Sequence, residues 1–89
     1  QHKHIQVFGT VQGVGFRHYT ELIAKKLGIF GTVQNVEDYV DIYAQGDEEQ
    51  IKSFIDKVIA GASPASSVSD YSIEDLDVTN RYSEFKTIY

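Results

Sequence analysis

One short segment of this chain has the residue types that grip an anion. Gly9-Thr10-Val11-Gln12-Gly13-Val14-Gly15-Phe16-Arg17 passes through glycines and ends on an arginine. Glycine lets the backbone take left-handed or crowded conformations that other residues resist. A turn built that way can aim successive N–H groups at one point. A helix starting there adds its own unpaired N–H groups and the positive end of its dipole. Arg17 brings a planar fork matched to phosphate oxygens. Gln12, Gly13, Val14, Gly15, Phe16 and Arg17 are therefore a candidate phosphate cradle. The competing reading is a tight strand-to-helix turn with Arg17 merely solvated. Two other phosphate motifs are excluded. The dinucleotide fingerprint needs a third glycine where His18 stands, and the P-loop needs a lysine followed by Ser or Thr after its last glycine.

A second segment, Gly31-Thr32-Val33-Gln34-Asn35-Val36-Glu37-Asp38, puts an asparagine near the end of a β-rich run. The Asn35 amide can donate to one oxygen while accepting from a water. Taken alone, an asparagine here is more often a turn former, because its side chain mimics backbone geometry.

The elements that must position these residues follow from the hydrophobic pattern. His4 to Val11 alternates loosely and predicts a strand. Tyr19, Leu22, Ile23 and Leu27 fall three or four apart and predict one face of a helix from about Phe16 to Leu27, stopped by Gly28. Ile29 to Val36 and Tyr39 to Gln45 predict a hairpin around a short acidic turn. Asp47 is the expected cap of a second helix, whose stripe is Ile51, Phe54, Ile55, Val58 and Ile59. Gly61 to Ser67, with the one proline, predicts a loop. Val68 to Leu76 predicts a strand carrying Tyr71 and Ile73 on one face, and Phe85 to Tyr89 a short last strand. The order predicts a single α+β domain over residues 1–89. Its fold is the ferredoxin-like split βαββαβ sandwich, an antiparallel four- to five-stranded sheet with two helices on one face.

Composition narrows the partners. Eight basic against thirteen acidic residues give a net charge of −5. A general nucleic-acid binder carries the opposite sign, so no nucleic-acid partner is expected. The same charge repels a phosphorylated small molecule at long range, so any phosphate site must be local and shaped. There is no cysteine, hence no disulfide and no thiolate metal site. No apolar run approaches the ~20 residues that span a bilayer, and no secretory leader is present in these residues. The first residue is Gln1, so removal of an initiator or short leader is expected. No membrane partner, a cytoplasmic location and a monomeric state are the expectations.

The two segments together resemble a known family. The first is similar to the acylphosphatase phosphate loop, G-x-V-Q-G-V-G-F-R. The second is similar to that family's G-x-V-x-N followed by an acidic residue near a hairpin turn. Leu27-Gly28-Ile29-x-Gly31 lies between them, and the likeness runs from about Ile5 to Ser67. The resemblance implies a ferredoxin-like fold, no cofactor, no metal and an acyl phosphate substrate, with inorganic phosphate as product or competitive ligand. It implies that Arg17 binds the substrate, that Asn35 orients a water and that the Gln12–Arg17 backbone cradles the phosphate. Two further readings come from other classes: an accessory domain of a larger carbamoyl-phosphate-handling protein, and a non-catalytic ferredoxin-like binding module. One departure concerns the hairpin. Many members have glycine where this chain has Tyr39, so Tyr39 must either take a positive φ or change the turn.

Other candidate residues read as structural. His2 and His4 have metal-like spacing, but a frayed terminus is the expectation. His18 is the nearest rival base to Asn35, and on a helix it points about 100° from Arg17, toward solvent. Asp70, Glu74, Asp75 and Asp77 read as a solvated acidic face. Phe8, Phe16, Phe30, Tyr39 and Tyr43 read as core and sheet-face aromatics rather than a base-stacking platform.

Overall fold

The computed structural model describes residues Gln1–Tyr89 in full. Seven elements follow one another: β1 (His2–Thr10), α1 (Phe16–Leu27), β2 (Phe30–Val36), β3 (Tyr39–Gln45), α2 (Glu48–Ile59), β4 (Ser67–Leu76) and β5 (Phe85–Ile88). The strands form one sheet in the order β4-β1-β3-β2-β5. The ferredoxin-like order is present, and β5 is the fifth strand. It runs parallel to β2, whereas every other neighbouring pair is antiparallel, so the sheet is mixed.

Alternation sets the two faces of the sheet. Ile5, Val7, Val33, Val40, Ile42 and Ala44 point into a core of fourteen residues beneath the helices. Ile51, Phe54 and Val58 of α2 enter it, as the periodicity predicts. Asp47 stands at the N-cap of α2, but its side chain makes no capping hydrogen bond. The buried stripe of α1 is Phe16, Thr20 and Ala24, with Ile23 and Leu27 at its margin. Tyr19 and Leu22, expected on that face, are exposed. The helix is turned so that Phe16 and the small residues Thr20 and Ala24 are its buried face. Tyr71 and Ile73 share a face of β4 as expected, yet β4 is an edge strand and both stay 40–47% exposed.

The N-terminus is not frayed. β1 begins at His2, which is 4% exposed. The connection from β4 to β5 crosses the sheet face opposite the helices, and His2 anchors it. His2 Nδ1 meets the Asp77 carbonyl at 2.7 Å, and Nε2 meets the Tyr82 hydroxyl at 2.8 Å. Gln45 adds two bonds to Thr79. Burial pushes the Tyr82 phenol up, so it stays protonated. His4 stacks on Tyr43 at 4.4 Å and bonds Asp41 at 2.5 Å. Both histidines are thus occupied in structure. The acidic residues of β4 are exposed, and Asp75 pairs with Lys3.

The hairpin turn resolves the Tyr39 question. Val36 pairs with Tyr39 as the last rung of the ladder, leaving Glu37 and Asp38 as a two-residue turn. The positive φ falls on Glu37, at 52°, and not on Tyr39. A left-handed conformation costs a side-chain-bearing residue about 1–2 kcal/mol. Glycine would remove that cost while adding about 0.5–1 kcal/mol of unfolded-chain freedom. Glu37→Gly should therefore raise the melting temperature, by about 2–8 °C for a domain of this size. Thermal denaturation followed by circular dichroism checks this, and a lowered midpoint would show that the Glu37 side chain stabilises more than its backbone costs.

Candidate active site

The C-terminal ends of β1, β2 and β5 and the N-terminus of α1 meet at one end of the sheet. The register aligns Val7 with Val40 and Val40 with Asn35, and Tyr89 follows one step beyond the Gln34–Ile88 pair. The two sequence motifs are thereby brought to the same edge of the core. They come from strands separated by β3.

The phosphate-loop segment is pinned by apolar side chains and left open at its glycines. Val11 and Phe16 are each 1% exposed, and Val14 packs against the core between them. Gly13 and Gly15 have φ of 74° and 78°. A Cβ on Gly13 would meet nothing within 4 Å, so its glycine is required by backbone conformation and not by space. Gly15 is the N-cap of α1 and has no side chain to cap it. The first helical bond is from Tyr19 N–H to the Gly15 carbonyl, 3.0 Å. Consequently no backbone or side-chain acceptor of the protein meets the N–H groups of residues 12 to 18. Such a row of free donors at a helix N-terminus is a site for an anion. The first turn of α1 has no acidic residue to occupy it. Phe16 and Arg17 form the first turn of α1, where the sequence pattern starts the helix. This places the Arg17 side chain at the helix mouth.

Arg17 is partly exposed. One terminal nitrogen donates to the Ile88 carbonyl at 3.2 Å, and the guanidinium lies 4.9 Å from the centre of the Tyr89 ring. A guanidinium has five N–H donors in a fixed plane. The protein uses one and covers a face, leaving the other donors along the edge.

Asn35 lies within β2, paired with Val40, two residues before the turn. It is not the turn former that its residue type suggests. Its side chain points to the same face as Val33, toward the helix layer. The Asn35 Oδ1 is buried, and no protein group bonds it. A buried acceptor without a donor costs about 1–3 kcal/mol, and the Asn35 oxygen shares this condition with the hydroxyls of Thr20 and Ser63. His18 is exposed and packs edge-on against Tyr19.

The side chain of Gln12 joins the two motifs. Its amide donates to the carbonyls of Glu37 at 3.1 Å and Tyr39 at 2.9 Å. It clasps the glycine loop to the β2–β3 turn and so fixes the cradle relative to the strand that carries Asn35. The sequence points to the Gln12 backbone only. The contacts of Ile88 and Tyr89 with Arg17 have no sequence signal at all, because they depend on a four-residue strand pairing in parallel with β2.

Comparison with known proteins identifies the family. The acylphosphatase family model matches residues 3–87. A curated acylphosphatase of Staphylococcus haemolyticus is 58% identical over 97% of this chain and 97% of its own length. The chain belongs to the acylphosphatase family. Its function is that of an acylphosphatase, a hydrolase of acid anhydrides. The crystal structure of the acylphosphatase from Bacillus subtilis superposes with a TM-score of 0.93, at 37% identity and with 99% and 98% of the two chains covered. Full-length HypF, in a phosphate- and nucleotide-bound form, contains a region similar to the whole of this chain, at 31% identity and a TM-score of 0.91. That region is 12% of its length. Because the staphylococcal acylphosphatase is matched nearly end to end, similarity favours the enzyme over the accessory domain of a larger protein.

Proposed function

We propose that this acylphosphatase binds the phosphate end of its substrate in the cradle of residues 12 to 17 and at Arg17, and that Asn35 holds the attacking water. The observation that carries the reading is the row of unpartnered N–H groups from residues 12 to 18 beside a guanidinium with free donors. Preorganised donors of this kind stabilise charge on a transferring phosphoryl group without reorganising as the reaction proceeds.

An acyl phosphate is already activated, since its leaving group is a carboxylate that departs without needing a proton. Phosphoryl transfer then depends on positioning and on charge stabilisation. The water donates one hydrogen bond to Asn35 Oδ1 and attacks phosphorus in line with the acyl oxygen. The bond between phosphorus and that oxygen breaks, and its electron pair leaves with the carboxylate. An amide is no base at neutral pH, so a phosphate oxygen of the substrate takes the proton of the water. The products are a carboxylate and monobasic phosphate. No metal or cofactor enters this scheme. His18, exposed and turned toward Tyr19, has no part in it.

The test is a hydrolysis assay with acetyl phosphate and with p-nitrophenyl phosphate, each with and without EDTA. Cleavage of the acyl phosphate alone, unaffected by the chelator, is expected. Comparable cleavage of the monoester, or loss of activity in EDTA, would overturn the scheme. The same proposal has the chain acting as one domain over residues 1–89, supported by its single contiguous core. It acts as a monomer in the cytoplasm, with no nucleic-acid or membrane partner. Light scattering and cell fractionation test those two points.

A further inference from the structure

α1 carries a second ionic residue one turn beyond Arg17, on the same side of the helix. Glu21 Oε1 accepts the Thr87 backbone N–H at 2.9 Å and the Thr87 hydroxyl at 2.7 Å. Its other oxygen faces Lys25 at 3.2 Å. Thr87 pairs with Val33 in the β2–β5 ladder, and the next residue, Ile88, supplies the carbonyl that Arg17 bonds. The end of β5 is therefore held to α1 at two successive points, at Thr87 by Glu21 and at Ile88 and Tyr89 by Arg17.

The two points are not equal. The Glu21 carboxylate takes two short charge-assisted bonds from one residue and is only 24% exposed. The Thr87 hydroxyl holds its carboxyl below the usual range, against the upward push of burial, and Lys25 adds to the lowering. Arg17 makes one bond of 3.2 Å and a ring contact. β5 is a four-residue edge strand that pairs with β2 alone, so its placement against α1 depends on side chains. A free arginine side chain has rotamer entropy to lose when it binds a ligand.

We propose that Glu21 is a positioning residue for Arg17. By fixing Thr87 it sets the Ile88 carbonyl and the Tyr89 ring against which the guanidinium rests, and so aims the remaining N–H groups at the loop before substrate arrives. This rests on the reading of Arg17 as the phosphate ligand.

Steady-state kinetics with acetyl phosphate and competitive inhibition by inorganic phosphate test it, on wild type, Glu21→Ala, Glu21→Gln, Thr87→Val and Arg17→Ala. Glu21→Ala should raise KM and the phosphate inhibition constant about tenfold, with a smaller fall in kcat. Glu21→Gln keeps an acceptor for both Thr87 donors and should restore most of the affinity. Thr87→Val, which removes the hydroxyl bond alone, should shift both constants about two- to threefold in the same direction. If Glu21→Ala does not fold, Thr87→Val decides, and an unshifted Thr87→Val overturns the inference. Wild-type affinity in Glu21→Ala, with affinity lost in Arg17→Ala, would show that Glu21 only ties α1 to β5, while the role of Arg17 stands. Equal losses in Glu21→Ala and Glu21→Gln would assign the effect to charge and overturn positioning through Thr87. Wild-type phosphate affinity in Arg17→Ala would instead remove the reading on which the inference rests.

Discussion

Arg17→Ala should weaken phosphate binding and turnover together. The variant removes the one cation at the cradle and all the guanidinium donors that the protein leaves free. Losing one preorganised donor of this kind costs about 3–4 kcal/mol of transition-state stabilisation, a fall in kcat/KM of roughly 10²–10³. Arg17 also meets the ground-state phosphate, so KM and the inhibition constant for inorganic phosphate should rise with it. The loop N–H groups remain in the variant and still attract an anion, so a residual activity above the uncatalysed rate is expected. Global stability should change little, because Arg17 is partly exposed and its single bond is to the Ile88 carbonyl. Kinetics combined with a thermal melt check the prediction. Unchanged phosphate inhibition would remove Arg17 from the binding site. Arg17→Lys should recover only part of the loss, because an ammonium is a point charge and cannot present parallel donors to two phosphate oxygens.

The parts of this design that the sequence displays are those governed by local rules. The glycine turn, the helix that follows it and the αL cap at Gly28 are read from residue types, and the structure has all three. The stripe on α2 is equally plain, since Ile51, Phe54 and Val58 recur at helical spacing and all three are buried. On α1 the apolar period and the buried face differ. Tyr19 and Leu22 fit the helical period, yet Phe16, Thr20 and Ala24 are the buried residues, because the rotation of a helix on its sheet is set by tertiary packing. The anchoring role of His2 is hidden in the sequence for a different reason. It depends on Asp77 and Tyr82, which lie more than seventy residues away and on a connection without periodicity.

The candidate site divides in the same way. Arg17 stands out locally, from glycine, helix mouth and cation in one stretch. Asn35 does not, because asparagine near a turn has an ordinary explanation, and only the family resemblance points to its role. What the structure adds is tertiary: the Gln12 clasp to the hairpin, the level of Tyr89 beside Asn35, and the hold of Glu21 on β5. Each needs a partner from another strand, and no pattern along the chain encodes that pairing.

Asn35→Ala should separate chemistry from binding. The variant should lose about 10²-fold in kcat, the scale on which misplacing a reacting group slows a reaction. Its inhibition by inorganic phosphate should stay within about twofold of wild type, since the cradle and Arg17 are untouched. The geometry also sets the sign of the stability change. Asn35 Oδ1 is buried with no donor from the protein, so truncation removes a desolvated carbonyl that costs about 1–3 kcal/mol. That gain opposes the packing lost with the side chain, so the melting temperature should hold or rise while turnover falls. An active-site residue kept for its chemistry often behaves this way, because its environment is arranged for the substrate and not for the folded state. Paired phosphate-inhibition and melting curves read both quantities on one preparation. A fall in phosphate affinity as large as that of Arg17→Ala would mean that Asn35 binds the phosphate instead of the water. A large fall in melting temperature would mean that Oδ1 is satisfied in the free enzyme.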